Sequence, residues 1–439
     1  MLKTLQSAFK IKDIRQKIFF TFLMLIVIRI GSQIPVPGVN SGYFAAWFAQ
    51  QSGDALNFFD AFTGGSFTSM SIFALNISPY ITSSIIIQLL TIAIPKLEEM
   101  QKEEDGRQKI NKITRYTTVL LAFIEGTAMT IGFGGRGLLE KYNFVNCVVV
   151  IAAFIAGSTF LMWIGERISE KGIGNGISIV LLINILSRVP SDLATLFEQF
   201  VFNKNVAVGV LCAAIIIAII LVVVVLVIFL QDGERRIPVQ YSKKMQGRKM
   251  VGGQSSHIPL KVNTAGVIPV IFASSLMQMP GIIASFAGVD GGTGIGGQIL
   301  RTLNSSNWCN PQQPVYSIGL VIYVALCIFF AYFYTSITFN PIEVADNIKK
   351  QGGFIPGIRP GKPTTDYLTS ILNYTVFVGA VGLLIIVVIP FIFNGVFHAS
   401  VSFGGTSIII IVGVILETLK QIESSIPEYY YSHKKSIFG

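Results

Sequence analysis

Ten apolar runs follow one another along the chain, near residues 18–34, 73–94, 114–133, 144–164, 173–190, 206–230, 264–288, 315–338, 367–393 and 403–419. A run of about 20 residues with few charges is long enough to cross the hydrocarbon core of a bilayer as a helix. In that core each backbone N–H and C=O must be paired within the protein, so such runs commit the chain to spanning helices. The composition agrees. Of 439 residues, 52% are hydrophobic and 13% charged, about half the charged share of a soluble domain. The mean hydropathy is +0.64. An ordinary soluble enzyme, a disordered chain and a coiled coil are excluded. The fifth and tenth runs are the weakest, being short or flanked by glycine and polar residues.

The few charges are placed unevenly. Of 33 Lys and Arg, 27 fall at the two ends and in the segments after runs 2, 4, 6 and 8, against 5 after runs 1, 3, 5, 7 and 9, counting Arg115 and Arg188, at the margins of runs 3 and 5, with the adjacent segments; Arg29 lies inside the first run. The positive-inside bias puts both termini in the cytoplasm, which an even number of spans also requires. Lys3, Lys10, Lys12, Arg15 and Lys17 precede the first run and no small-x-small site follows it, so it is expected to be a retained span and not a removed signal. Five spans in each half, 1–200 and 201–439, would give the halves opposite orientations, so any repeat is inverted.

Chemistry-bearing patterns are scarce. Cys147, Cys212, Cys309 and Cys327 form no CxxC pair, and His257, His398 and His433 are scattered, which points to neither a disulfide framework nor a metal site. No Walker motif, HExxH or nucleophile elbow occurs. The glycine-rich stretch 172–176 follows a helical run and not a strand, so it is a tight turn and no phosphate cradle. The chain is therefore expected to be no enzyme and to hold no cofactor.

Residues 36–72 carry no Lys or Arg, yet are too apolar for a solvated loop. Within them Leu56, Phe59 and Phe62 recur at helical spacing and Gly64-Gly65 ends the run. Two turns are too short to span. The segment is either a plug re-entering a pore or an amphipathic helix lying on the outer surface, and residue chemistry alone favours the second.

Five stretches are more specific: 71–90 (SIFALNISPYITSSIIIQLL), 162–179 (MWIGERISEKGIGNGISI), 254–261 (QSSHIPLK), 263–269 (NTAGVIP) and 354–361 (FIPGIRPG). In this order and over about residues 17–425, the chain resembles the SecY family, the channel subunits of the bacterial protein-export translocase. The resemblance implies an all-α membrane protein, with ten spans in two inverted five-helix halves around an hourglass pore. It implies a constricting ring of Ile77, Ile81, Ile177, Leu181, Ile271 and Ile410. It implies a plug over about 55–72, including Phe58, Phe59, Phe62, Gly64 and Gly65, and a hinge near the segment between spans 5 and 6. A lateral gate between spans 2–3 and 7–8 would include Ser83, Gln88, Glu125 and Ser275. The implied partners are the SecE and SecG subunits, the SecA motor, the translating ribosome, secretory precursors and membrane lipids, in the bacterial inner membrane. Asn76 stands where the family usually has glycine, which predicts a stiffer local helix.

Physical chemistry adds to each feature. Ile77 and Ile81 share one helix face, as do Ile177 and Leu181. A narrow aliphatic ring gates by dewetting and offers no hydrogen bonds to a sliding polypeptide. Glu125, in mid-span, costs about 2.5–3.5 kcal/mol on insertion scales unless it faces protein or water. Arg29 is near enough to the end of its run to snorkel. Pro79 and Pro269 are expected to weaken the gate helices. The basic segments 231–262 and 339–366 offer Arg235, Arg236, Arg248, Lys249 and Arg359 as a docking surface for the cytosolic partners, with phosphate contacts to ribosomal RNA. The alternative is a secondary transporter of a small solute, built on a five-plus-five inverted repeat. Such proteins gather ionisable groups at the midplane, where only Glu125 qualifies.

Overall fold

The structure is a computed structural model that describes residues 9–50, 60, 63–103, 105–202, 206–241, 244–246, 249–251, 255–266, 268–287, 294–397 and 405–437. In chain order the elements are α1 (Lys12–Gly31), α2 (Ser41–Gln50), α3 (Ser78–Ala93), α4 (Pro95–Lys102), α5 (Gly106–Phe133), α6 (Phe144–Lys171), α7 (Gly176–Phe197), α8 (Val206–Asp232), β1 (Glu234–Tyr241), β2 (Lys244–Gln246), β3 (Lys249–Val251), β4 (Ser255–Lys261), α9 (Ile268–Ala287), α10 (Ile295–Leu303), α11 (Ile318–Thr338), α12 (Pro341–Lys350), β5 (Gly353–Phe354), α13 (Lys362–Phe397) and α14 (Gly405–Ile437).

Each of the ten apolar runs coincides with a helix: α1, α3, α5, α6, α7, α8, α9, α11, α13 and α14. Among the described residues, six helices are long and apolar enough to cross a membrane, namely α5, α6, α7, α8, α11 and α13. α1 carries Lys12, Asp13, Arg15 and Lys17 in its first turns, and α3 has 16 residues.

Three local expectations are corrected. The second span was expected from residue 73, but residues 64–77 form successive turns and the helix starts at Ser78. Asn76 is not in a helix and stiffens none: it sits at φ 53° in a turn, a left-handed conformation that Asn tolerates far better than most residues. Pro79 occupies the first turn of α3, and Pro269 is the second residue of α9. There the missing N–H has no partner to lose and the fixed φ suits the helix, so both prolines start their helices and do not weaken them.

The chain forms two compact units. One comprises residues 1–195, 280–304 and 414–439; the other comprises 196–279 and 305–413. The core of the first gathers Val36, Val39, Phe44, Phe67, Met70, Ala74 and Leu75 against Ala122, Met129 and Phe133 of α5 and Val150 and Phe154 of α6. The non-helical segments around 35 and 71 pair their backbones: Val36 N donates to Met70 O at 3.0 Å and Ile72 N to Ile34 O at 2.9 Å. Ile11 and Ile14 pack with Ile173 and with Ile422 of α14. A groove of about 580 Å³ is lined by Phe22, Leu25, Ile26, Arg29, Ile30 and Ile183. One guanidinium nitrogen of Arg29, Nη1, is buried without a hydrogen-bond partner among the described residues.

In the second unit, the basic segments expected as loops are partly strands. β1 pairs antiparallel with β4, from Glu234↔Lys261 to Gln240↔Ser255, and with β5 through Gln240↔Phe354, giving the order β4-β1-β5. Along β1, Ile237 and Val239 are buried while Pro238 and Gln240 are exposed, the period-two alternation of a half-buried strand. These residues pack with Leu260, Ala345, Ile348, Ile355, Leu368 and Ile371 in a core shared with α12 and α13. α12 is well terminated. Asn340 Oδ1 accepts from Ile342 N at 3.1 Å, Pro341 follows it, and Lys349 and Lys350 complete the last turn. At the base, Val262 N donates to Gly233 O at 2.8 Å. Leu368 is fully buried in this core, so Leu368→Ala is expected to cost about 2–5 kcal/mol, seen as faster proteolysis of the 234–261 segment and a lower melting midpoint.

Candidate functional site

The residue types around position 60 demand partners. Asp60 is fully buried, and a buried carboxylate is tolerated only when it is paired and hydrogen-bonded. Its Oδ1 accepts from Thr68 N at 2.9 Å, and its Oδ2 is ion-paired with Arg188 Nη1 of α7. Its backbone carbonyl accepts from Thr63 Oγ1 at 3.0 Å and Gly65 N at 3.2 Å. Thr63 Oγ1 accepts from Phe67 N at 3.2 Å. These bonds close a chain of tight turns whose peptide groups need no helix.

The turns lie on the backbone of α7. Gly64 has φ 66°, and a Cβ there would stand 2.7 Å from Asn184 O and 2.9 Å from Asn184 Cα. Only glycine meets both demands. Asn184 Nδ2 donates to Asn76 Oδ1 at 2.8 Å, and Ser187 Oγ donates to Asn184 O at 2.7 Å. Residues 66, 67, 70, 71 and 73–77 are buried. The described part of the segment is thus packed inside protein; the stretch 55–62, on which the choice between plug and surface helix rests, lies outside the described residues apart from Asp60. Phe58, Phe59 and Phe62 lie outside the described residues.

Behind this segment stand four of the six ring candidates. Ile77 is fully buried at the N-cap of α3, and Ile81 follows one turn later. Ile177 and Leu181 lie in the first turns of α7. Ile77 and Ile177 come together over α6: a Cβ on Gly165 would stand 3.4 Å from Ile177 Cγ1 and 3.6 Å from Ile77 Cδ1. Ile271, on α9, and Ile410, on α14, belong to the second unit.

Of the gate candidates, Ser83 Oγ donates to Thr114 O at 2.8 Å, tying α3 to α5. Glu125 is half-buried on α5, 11 residues beyond Thr114, about 16 Å along the helix axis. Ser83 and Glu125 are therefore not brought together. Gln88 is exposed, and the side chain of Ser275 lies outside the described residues.

Of the basic candidates, Arg235 and Arg236 are exposed on β1, Arg236 paired with Glu234 at 2.6 Å. Lys249 is in β3, and Arg248 lies outside the described residues. Arg359 is exposed in the turn 355–361 that follows β5. The pairing of β1 with β5 joins Arg235, Arg236 and the Arg359 turn to one small sheet, although the two segments are over 100 residues apart.

Sequence reasoning missed Asn184, Ser187 and Arg188 as site residues. The signal was present: with Ile177 and Leu181 they recur at i, i+4, i+7, i+10 and i+11, one helix face that turns from apolar to polar along its length.

A family model described as SecY matches residues 71–419. The chain is 43% identical to the protein translocase subunit SecY of Streptomyces galbus, covering 98% of this chain and 99% of the relative. It is 44% identical to that of Bacillus subtilis with the same coverage. The fold is similar to a solved protein conducting channel, with TM-score 0.60 at 19% identity over 93% of this chain and 92% of the other. It also matches a SecY structure described in terms of a plug domain that stabilises the closed state, with TM-score 0.61 at 19% identity and the same coverage. A family model over most of the chain, and relatives above 40% identity end to end, place it in one family: the chain belongs to the SecY family.

Proposed function

We propose that the chain is the channel subunit of a protein translocase. It conducts unfolded secretory polypeptides across the bacterial cytoplasmic membrane and releases apolar segments sideways into lipid. The observation that carries this reading is the 43% and 44% identity, over nearly the whole chain, to proteins named protein translocase subunits. Residues 1–200 and 201–439 act as two inverted halves with both termini in the cytoplasm. Ile77, Ile81, Ile177, Leu181, Ile271 and Ile410 line the constriction, and the segment about 55–72 is its plug. Ser83, Gln88, Glu125 and Ser275 border the lateral exit. The chemistry supports a conduit. Branched aliphatic side chains bind no peptide group, so a strand of any sequence slides past, while the dry ring resists ions. The chain itself supplies no chemical energy. A cytosolic SecA motor or a translating ribosome docks on Arg235, Arg236, Arg248, Lys249 and Arg359, and SecE and SecG complete the complex. A ribosome-bound channel, canine Sec61, has TM-score 0.57 to this chain, which supports the ribosome as a partner.

The test is to stall a secretory precursor in vesicles that contain the protein with its partner subunits, SecA and ATP. Cysteines at Ile81→Cys and Ile271→Cys are expected to crosslink to the precursor, and a cysteine at exposed Tyr374, on the outer face of α13, is not. Precursor uptake without a crosslink at either ring position would overturn the assignment of the ring.

A further inference from the structure

The ion pair between Asp60 and Arg188 has no role in conducting a polypeptide, yet its surroundings give it one. Asp60 is fully buried and its two oxygens are divided: Oδ1 holds the segment's own Thr68 N–H, and Oδ2 holds Arg188 of α7. The pair bridges 128 residues of chain. At the other end of the same segment, Asn76 is bonded to Asn184, one helical turn before Arg188. The segment is thus fastened to one polar stripe of α7 at both ends, with Gly64 seated on the backbone between them. Three polar atoms at this contact are poorly served. Arg188 Nε, Asn184 Oδ1 and Thr68 Oγ1 are buried without hydrogen-bond partners among the described residues. Each such group offsets part of the gain from docking, so the contact holds the segment without making its release prohibitive.

We propose that Arg188 is a positioning residue of the plug: its ion pair with Asp60 is a charge latch that keeps residues 60 and 63–77 against α7 and the resting channel closed. This rests on the channel reading above. Lifting the segment strands the carboxylate and the guanidinium unless water reaches both, which links opening to hydration of the stripe. Asn76 and Pro79, at the foot of the segment, remain as its hinge.

The test uses the translocase with its partner subunits in vesicles, and reads resting ion flux, precursor uptake and melting midpoint for four variants. Arg188→Gln and Asp60→Asn each leave one buried charge unpaired, and each is expected to raise resting ion flux by at least about tenfold. The double variant Asp60→Asn, Arg188→Gln removes both charges and is expected to leak less than Arg188→Gln alone. Arg188→Lys keeps the charge and is expected to stay near the parent. All four should still take up precursor; the two singles melt below the parent, as an unpaired buried charge requires, and the double and Arg188→Lys within a few degrees of it. Singles that leak no more than the parent, or a double whose leak is the product of the two singles, would overturn the latch. So would a coupling seen in melting alone with ion flux unmoved, which marks a purely structural pair. A parent protein that moves no precursor under conditions where a known translocase does would instead overturn the channel reading, so the two failures are distinguishable.

Discussion

Replacing Gly157 with valine is expected to leave little folded protein in the membrane. A side chain at this position of α6 would be driven onto the carbonyl oxygen and carbonyl carbon of Ile72. Backbone cannot swing aside as the end of a long side chain can, and this stretch is pinned from its other side by the Ile72 N–Ile34 O and Val36 N–Met70 O bonds at 2.9 and 3.0 Å. Behind it lies the core of Phe67, Met70, Leu75, Phe133 and Phe154. Overpacking a core commonly costs about 1–3 kcal/mol; here the obstacle is backbone, so about 3 kcal/mol or more is expected, against a total stability of about 5–15 kcal/mol. Gly157→Ala should move in the same direction by less. Gly42→Ala, whose Cβ would meet Asn40 Oδ1 at 3.7 Å and nothing nearer among the described residues, should be close to neutral. Yield and melting midpoint of the purified variants decide the matter. A Gly157→Val protein that melts with its parent would refute the packing described.

The second large effect is expected on activity and not on stability. In the turn 355–361 the Arg359 carbonyl accepts from Thr364 Oγ1 at 2.9 Å, closing the turn onto the start of α13. The turn therefore uses the backbone of Arg359, while its side chain is exposed. Reversing that charge with Arg359→Glu should leave the fold intact and repel an acidic or phosphate-bearing partner. Losing a charge pair at an interface costs about 2–5 kcal/mol, so motor-driven precursor uptake is expected to fall at least about tenfold with an unchanged melting midpoint. Arg359→Lys should retain part of the uptake. Full uptake by Arg359→Glu would remove Arg359 from the docking surface.

What was legible in the sequence follows from how each feature is encoded. Helices of a membrane protein are written as long apolar runs, so the positions of ten helices could be read, six of them long and apolar enough to cross a membrane among the described residues. The proposed constriction rests on resemblance: Ile77 and Ile177 look like any apolar residue of a membrane helix, and the structure adds that both lie near Gly165. The start of α3 was misread because Phe73, Ala74 and Leu75 continue the apolar pattern through residues that are buried in turns. The sheet was missed because β5 is two residues long and its partner lies over 100 residues upstream, so no local pattern joins them. Arg188 was counted as one more charge of a topology signal. Its meaning depends on Asp60, which reads from the sequence as the polar side of a short helix.

The β4-β1-β5 sheet has a mechanical consequence. One residue, Gly233, separates α8 from β1, and β5 sits in the short connection between α12 and α13. The hairpin base is closed by the Val262–Gly233 bond, and its apolar side is packed on α12 and α13. A load applied to β1, β4 or β5 is therefore not absorbed by a slack loop. It enters a small stiff body and is shared among α8, α12 and α13 at once, so a push at the surface becomes a lever on several helices.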